Sequence, residues 1–327
     1  MSYNIFSIKK RGAYLLNIKM ERHFYKNFGE CLKLTNGLVE AIVTIDFGPR
    51  IIYFGLPNGE NLFNEDTNRD GSVSGSIIDA VYGSGSNWFS YGGHRLWLSP
   101  EDMPLTYYPD NERVIFNEIP FGVELIPPAQ RVTDFQYRIE IIFSTDKPQI
   151  SVKHFITNIG ETTKRRAAWA ISVLSQGGLE VIPQPLGDTG LLANRVMSLW
   201  SYADMSDERV YWGKRYITLR QNPANENKFK FGINNLRGWA AYFNHGGLFI
   251  KKYVNNPSGI YPDYGTSFET YTDKNFLEME SLSELIDITP HSTIFHGEEW
   301  TLIKDVARPA PNDEDAIDKI VKQYIEN

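Results

Sequence analysis

The chain has 327 residues, with 33 Lys plus Arg against 40 Asp plus Glu, and the net charge of −7 excludes a polybasic nucleic-acid or membrane-surface binder. One cysteine, Cys31, excludes an intramolecular disulfide framework and any Cys-x-x-Cys metal or redox site, and it fits a reducing compartment. Eighteen Tyr, 19 Phe and 7 Trp, with 26 Gly and 17 Pro, suit pleated strands and tight turns better than helices.

The opening MSYNIFSIKKRGAYLL has no apolar stretch of signal-peptide length, and no window approaches 18 consecutive apolar residues. A soluble, cytoplasmic protein is expected. Alternation predicts strands around Leu38 to Ile45 and Ile51 to Phe54, then at Val114 to Ile119, Tyr137 to Phe143, Ile150 to Thr157 and Ala167 to Leu174. Others follow at Tyr216 to Leu219, Trp239 to Phe243, Leu248 to Val254, Phe276 to Leu282 and Ile294 to Ile303, divided by Gly, Pro, Asn or Asp clusters. At the end, Ile317, Ile320, Val321, Tyr324 and Ile325 make a helical stripe after Pro311-Asn312-Asp313. Asn312 is the expected cap and Asp315 lies in the first turn. Its apolar face should cover the sheet as a lid or edge cover. No repeat, low-complexity linker or composition break divides the chain. An all-β, mostly antiparallel domain over residues 1–305 is expected, with a helical tail over 306–327 packed on it.

No Gly-x-Ser-x-Gly, His-Glu-x-x-His, Walker loop or Gly-x-Gly-x-x-Gly occurs, and Gly83-Ser84-Gly85-Ser86 reads as a flexible loop. Tyr91-Gly92-Gly93-His94-Arg95-Leu96-Trp97 sets an imidazole and a guanidinium beside a Gly-Gly turn and an indole. That mixture suits a sugar, which has hydroxyls at its edge and C–H bonds on its face. Equally, His94 could bond within the turn and Trp97 be core. In Phe276-Leu277-Glu278-Met279-Glu280-Ser281-Leu282, strand alternation puts Leu277 and Met279 on one face. Glu278 and Glu280 share the other, with Cα atoms about 6.6 Å apart. An outward pair is the ordinary case, whereas in a cleft repulsion and desolvation raise at least one carboxyl pKa. Lys251 and Lys252 point to opposite faces, so at most one enters a given cavity. Asp263, in a Pro-Asp turn, either accepts from sugar hydroxyls or makes an Asx turn. The six histidines are scattered without paired spacing, so neither metal nor cofactor is expected; His154 and His245 read as structural and Lys164-Arg165-Arg166 as a solvated turn.

An ordered series of segments resembles the galactose mutarotase-like superfamily, the aldose 1-epimerases and their bacterial relatives. The series runs Phe47-Gly48-Pro49-Arg50-Ile51-Ile52, Asn58-Gly59-Glu60-Asn61-Leu62-Phe63, Gly92 to Trp97, Ala168 to Leu174, Tyr261-Pro262-Asp263-Tyr264-Gly265, Phe268 to Thr272, Phe276 to Leu282 and His296-Gly297-Glu298-Glu299-Trp300. The resemblance implies a β-supersandwich with an open sugar cleft and a catalytic glutamate near the C-terminus. That glutamate falls on Glu278 of Phe-Leu-Glu, and His94 is similar in placement to the first family histidine. No histidine lies in Trp169 to Leu174, where the family's second one, often the acid for the ring oxygen, belongs.

The resemblance then implies anomerisation, with Glu278 as base toward the C1 hydroxyl and His94 as acid toward the ring oxygen. Glu280, Asp263, Arg95, Arg50, Lys251 and Trp97 would hold the sugar, and so many cations suggest an anionic substituent. A non-catalytic carbohydrate-binding or sensing protein is the alternative. A glycosidase ranks behind both, because two carboxylates on one strand do not flank a scissile bond.

Overall fold

The structure is a computed structural model and describes residues 18–326, so the N-terminal stretch read for a leader lies outside it. Two large antiparallel sheets face one another. The eleven-stranded sheet runs, in spatial order, Lys19–Phe24, Glu30–Thr35, Glu40–Thr44, Ile51–Gly55, Gly93–Ser99, Lys164–Leu174, Leu277–Leu282, Phe268–Thr272, Phe229–Ile233 and Met197–Leu199, with Ile286–Ile288 paired to the start of Lys164–Leu174. The ten-stranded sheet runs Val210–Trp212, Tyr216–Arg220, Leu179–Pro183, Trp239–Asn244, Gly247–Tyr253, Thr293–Lys304, Gln149–Asn158, Phe135–Phe143, Gly122–Ile126 and Ile115–Ile119. No helix among the described residues is long and apolar enough to cross a membrane.

Side chains alternate across each strand, so every strand of the first sheet divides its residues between the core and the sheet's outer face. From Gly93–Ser99, Leu96 and Leu98 enter the main core; from Leu277–Leu282, Leu277 and Met279 do so; from Phe229–Ile233, Phe229, Phe231 and Ile233. Each such side chain contributes about 1.5–3 kcal/mol of burial, which fixes the register, since a slip of one residue would exchange the faces. The residues of opposite parity, Arg95, Trp97, Trp169, Lys230, Glu269, Glu278 and Glu280, thereby share the outer face.

Several strands lay beyond the alternation signal. Gly93–Ser99 is buried on both faces and shows no polar alternation, and Lys164 to Arg166, read as a turn, begins the long Lys164–Leu174 strand. Gly92 and Gly93 have φ of +81° and +66°, and a Cβ on Gly93 would sit 2.4 Å from the Ile51 carbonyl oxygen; only glycine allows the entry to this strand.

The tail forms the Glu314–Tyr324 helix. Its cap is Asp313 rather than Asn312: the Asp313 carboxylate accepts from the Ala316 N–H at 2.9 Å. Ile317, Val321 and Ile325 pack on Leu179, Tyr216, Trp239 and Leu248, on the outer face of the second sheet. The helix therefore covers a face, away from the charged outer face of the first sheet, and Lys252 donates to its last carbonyls through Ile325 at 2.7 Å.

Candidate functional site

Cross-strand register builds the site. Glu269 faces Glu280, Tyr271 faces Glu278, and Gly232 faces Glu269 on the neighbouring strand. A Cβ on Gly232 would meet Thr266 Cγ2 at 2.7 Å and Glu269 Cγ at 3.2 Å, so the glycine leaves room for that carboxylate. Lys230 Nζ lies 2.8 Å from Glu269 and 2.9 Å from Glu280, one ammonium shared between two carboxylates. Trp169 Nε1 donates to Glu280 Oε2 at 2.8 Å and Thr266 Oγ1 to Glu269 Oε1 at 3.1 Å. Arg95 Nη2 donates to Glu278 Oε1 at 3.2 Å.

Indoles enclose these charges. The Arg95 guanidinium lies 4.3 Å from the Trp97 ring centre and 5.6 Å from that of Trp88. Lys230 lies 4.9 Å from Trp169 and 4.6 Å from Trp200, and Trp97 meets Trp169 at 5.5 Å with planes at 63°. Desolvated cation–π contacts of this kind are worth about 2 kcal/mol each. The most accessible carboxylate on the floor is Glu278, whose side chain is 13% exposed, against 0% for Glu280 and 1% for Glu269. Asp263, in a turn where it and Tyr264 have φ of +50° and +65°, receives the Ser99 hydroxyl at 3.4 Å.

Burial raises the Glu278 carboxyl, Arg95 draws it back down, and Glu280 pushes it up again, leaving it above the ordinary carboxylate range. Burial likewise pushes Glu269 up to about 8, against Lys230 and with the help of Glu280 and Asp263. For Lys230, burial favours the neutral amine, but Glu280 and Glu269 outweigh it and hold the ammonium protonated.

The sequence-named residues divide into two groups. Arg95, Trp97, Glu278 and Glu280 share this face, with Asp263 at its margin. His94 does not join them: it is the neighbour of Arg95 on a strand, so it projects from the opposite face into the intersheet core, where none of its surface is exposed. Its Nε2 lies 2.9 Å from His154 Nε2 and its Nδ1 2.9 Å from Ser172 Oγ. His154 Nδ1 faces the His296 carbonyl at 3.0 Å and must donate there, so a neutral His154 accepts from His94, which in turn accepts from Ser172. Burial pushes His94 well below its ordinary range, His154 to about 4 and His296 to about 3.

Lys251 also lies in the core. It bonds Glu298 at 2.9 Å and donates to the Met279 carbonyl at 3.1 Å, spanning the two sheets from below the site. Arg50 is held elsewhere, bonded to Asp110 at 2.5 and 3.2 Å and set over the Tyr91 ring at 5.7 Å.

The histidines scattered in sequence are partly gathered by the fold, since ligand atoms of His94, His154 and Glu298 lie within 4.8 Å of one another. A cation fits poorly there. The imidazole nitrogens already bond each other, and Glu298 is engaged by Lys251, by Ser281 at 2.6 Å and by Trp300 at 2.7 Å. A divalent ion would also meet the Lys251 ammonium in a dry interior.

Lys230, Glu269, Trp169 and Trp200 were not reached as site residues from the sequence. The signal was period two: Phe229, Phe231 and Ile233 alternate with Lys230 and Gly232, and Glu269 follows Phe268, so a strand that gives its phenylalanines to the core turns Lys230 and Glu269 to its other face.

No family profile matches the chain, and no curated protein does. Solved structures do. A proposed aldose 1-epimerase from Klebsiella pneumoniae subsp. pneumoniae superposes with a TM-score of 0.60 at 13% identity, over 95% of this chain and 88% of that one. A TPR-domain containing protein from Parabacteroides distasonis gives 0.58 at 11%, over 86% and 48%. A galactose mutarotase-like protein from Clostridium acetobutylicum gives 0.51 at 12%, over 89% and 99%. Identities this low speak to fold and leave the chemistry to the side chains.

Proposed function

Starting from a chain that has the galactose mutarotase-like fold, we propose that it binds a sugar on the outer face of its first sheet and acts there as an aldose 1-epimerase with Glu278 as base. The observation that carries the reading is the Arg95–Glu278 pair, a partly accessible carboxylate and a guanidinium set among indoles. The ring C–H face stacks on the indoles, and Glu278 and Arg95 meet the hydroxyl edge. A carboxylate raised by burial is a stronger base toward the C1 hydroxyl than a solvated one. As Glu278 takes that proton, the C1 to ring-oxygen bond breaks, the ring oxygen gains a proton, the aldehyde rotates and the ring closes again.

His94 has no part in this reaction, because the sheet stands between it and the sugar. The ring oxygen takes its proton from water, so turnover is slower by about 10² to 10⁴ than with a second placed group. That same observation favours a second reading, binding without turnover. A glycosidase fits less well: Glu280 is fully buried and bonded to Lys230 and Trp169, so it does not reach a scissile bond.

NMR exchange between α and β anomers over a panel of aldoses, with calorimetry on the same panel, tests the proposal. Exchange above buffer that Glu278→Gln removes is expected. Saturable binding with no exchange selects the binding reading, and neither binding nor exchange refutes both.

A further inference from the structure

We propose that the sugar taken by this face carries a protonated amine. This rests on the sugar-binding reading above and on the charge laid out around the floor. Four carboxyl groups, Asp263, Glu269, Glu278 and Glu280, surround two cations, Arg95 and Lys230; with Glu269 protonated below about pH 8, the other three still outnumber the cations. Lys230 is divided between Glu269 and Glu280, Arg95 gives Glu278 one bond, and among the described residues Asp263 has no cation within salt-bridge reach.

The order of encounter matters as much as the count. Arg95 and Lys230 side chains are 6% and 8% exposed and their faces lie against indoles, whereas Glu278 is more open and Asp263 is half-buried at the margin. A ligand arriving from water meets carboxylate oxygens first. A sugar acid or phosphate would meet like charge, while an ammonium would supply the positive charge that the cluster lacks and could rest against the indole faces. The anionic substituent expected from the sequence counted Arg50 and Lys251, and neither is on this face.

A second observation points to a ligand at the same place. Arg95 Nε and Nη1 are buried with no hydrogen-bond partner, so a residue that is 5% exposed has two donors in want of acceptors beside Glu278. The hydroxyl or ring oxygens of a sugar would satisfy them while its amine faces the carboxylates.

The test is calorimetry on the full chain at pH 6.5. The probes are glucosamine, glucose, N-acetylglucosamine and glucuronic acid as free reducing sugars, which keep the C1 hydroxyl, together with the galacto series. The amine should bind at least about tenfold more tightly than the neutral parent. N-acetylation should remove the gain, and glucuronic acid should bind weakest. Asp263→Asn should lower the amine-to-neutral ratio; if that variant does not fold, Glu278→Gln serves. Equal affinity for amine and parent, or tighter binding of glucuronic acid, overturns the charge preference and leaves sugar binding standing. No binding by any member overturns the sugar reading itself.

Discussion

His94 and Arg95 are consecutive in the chain and lie on opposite sides of one sheet, the imidazole bonded to His154 at 2.9 Å in the core and the guanidinium to Glu278 at 3.2 Å on the outer face. Strand geometry thereby separates two roles that a shared sequence segment joins. The inner residue belongs to the buried network between the sheets, and the outer one belongs to the candidate site.

The first consequence concerns His94→Gln. It disturbs the Ser172 and His154 bonds and should cost about 1–3 kcal/mol in urea unfolding, the penalty of leaving buried polar groups unpaired. Sugar affinity by calorimetry should stay within about twofold of wild type, because the sheet intervenes. A large loss of affinity in a fully folded variant would place the imidazole in the site.

Arg95→Met keeps an apolar stem between Trp88 and Trp97 but removes the charge that draws the Glu278 carboxyl down. Glu278 should then titrate at higher pH, so ligand affinity that depends on its ionised form should fall away at a higher pH than in wild type. Breaking so buried a pair should also cost about 3 kcal/mol of stability. A pH series of calorimetric titrations from 4 to 8 reads the shift, and an unmoved midpoint would mean that the two groups are uncoupled.

The buried histidines set an acid limb on stability. An unfolded chain binds protons at His154 and His296 from about pH 6.5 downward, whereas the folded chain resists until about 4 and 3. Stability is therefore present above 6.5 and lost as pH falls toward 4, by about 1.4 kcal/mol per pH unit for each proton. Glu269 works the other way: held up to about 8, it contributes stability below its ordinary 4.5 that is lost as pH rises through 8. In thermal melts between pH 4.5 and 6.5, acidification should cost less stability in His154→Asn, and more in Glu269→Gln, than in wild type.

The terminal helix provides an independent check on the packing. Asp313→Ala should cost about 1 kcal/mol through the lost cap, and Ile317→Ala about 2–5 kcal/mol through the cavity left against the second sheet. Chemical denaturation measures both. Neither should alter sugar affinity, since the helix covers the sheet that does not bear the charged floor.

Much of the fold was legible because period-two alternation and turn residues marked strands such as Phe135–Phe143 and Gln149–Asn158, whose faces differ in polarity. Gly93–Ser99 was harder, being buried on both faces, and reading His94 as a residue after a turn hid the parity that sets it apart from Arg95 and Trp97. The shared face of Glu278 and Glu280 followed from alternation alone. Which face of that strand meets the other sheet did not, because it depends on Leu277 and Met279 finding partners remote in the chain. Lys251 is tolerated in the core only beside Glu298, an ion pair between distant segments that no local pattern announces.

The seven tryptophans offer a direct reading of where a sugar sits. In a ¹⁵N–¹H spectrum of the indole N–H groups, assigned by single Trp→Phe variants, addition of a bound monosaccharide should move Trp97 and Trp169 on the outer face of the first sheet. Trp300 in the intersheet core and Trp239 beneath the terminal helix should stay in place. Shifts at Trp300 or Trp239 with Trp97 and Trp169 unmoved would contradict the placement of the site.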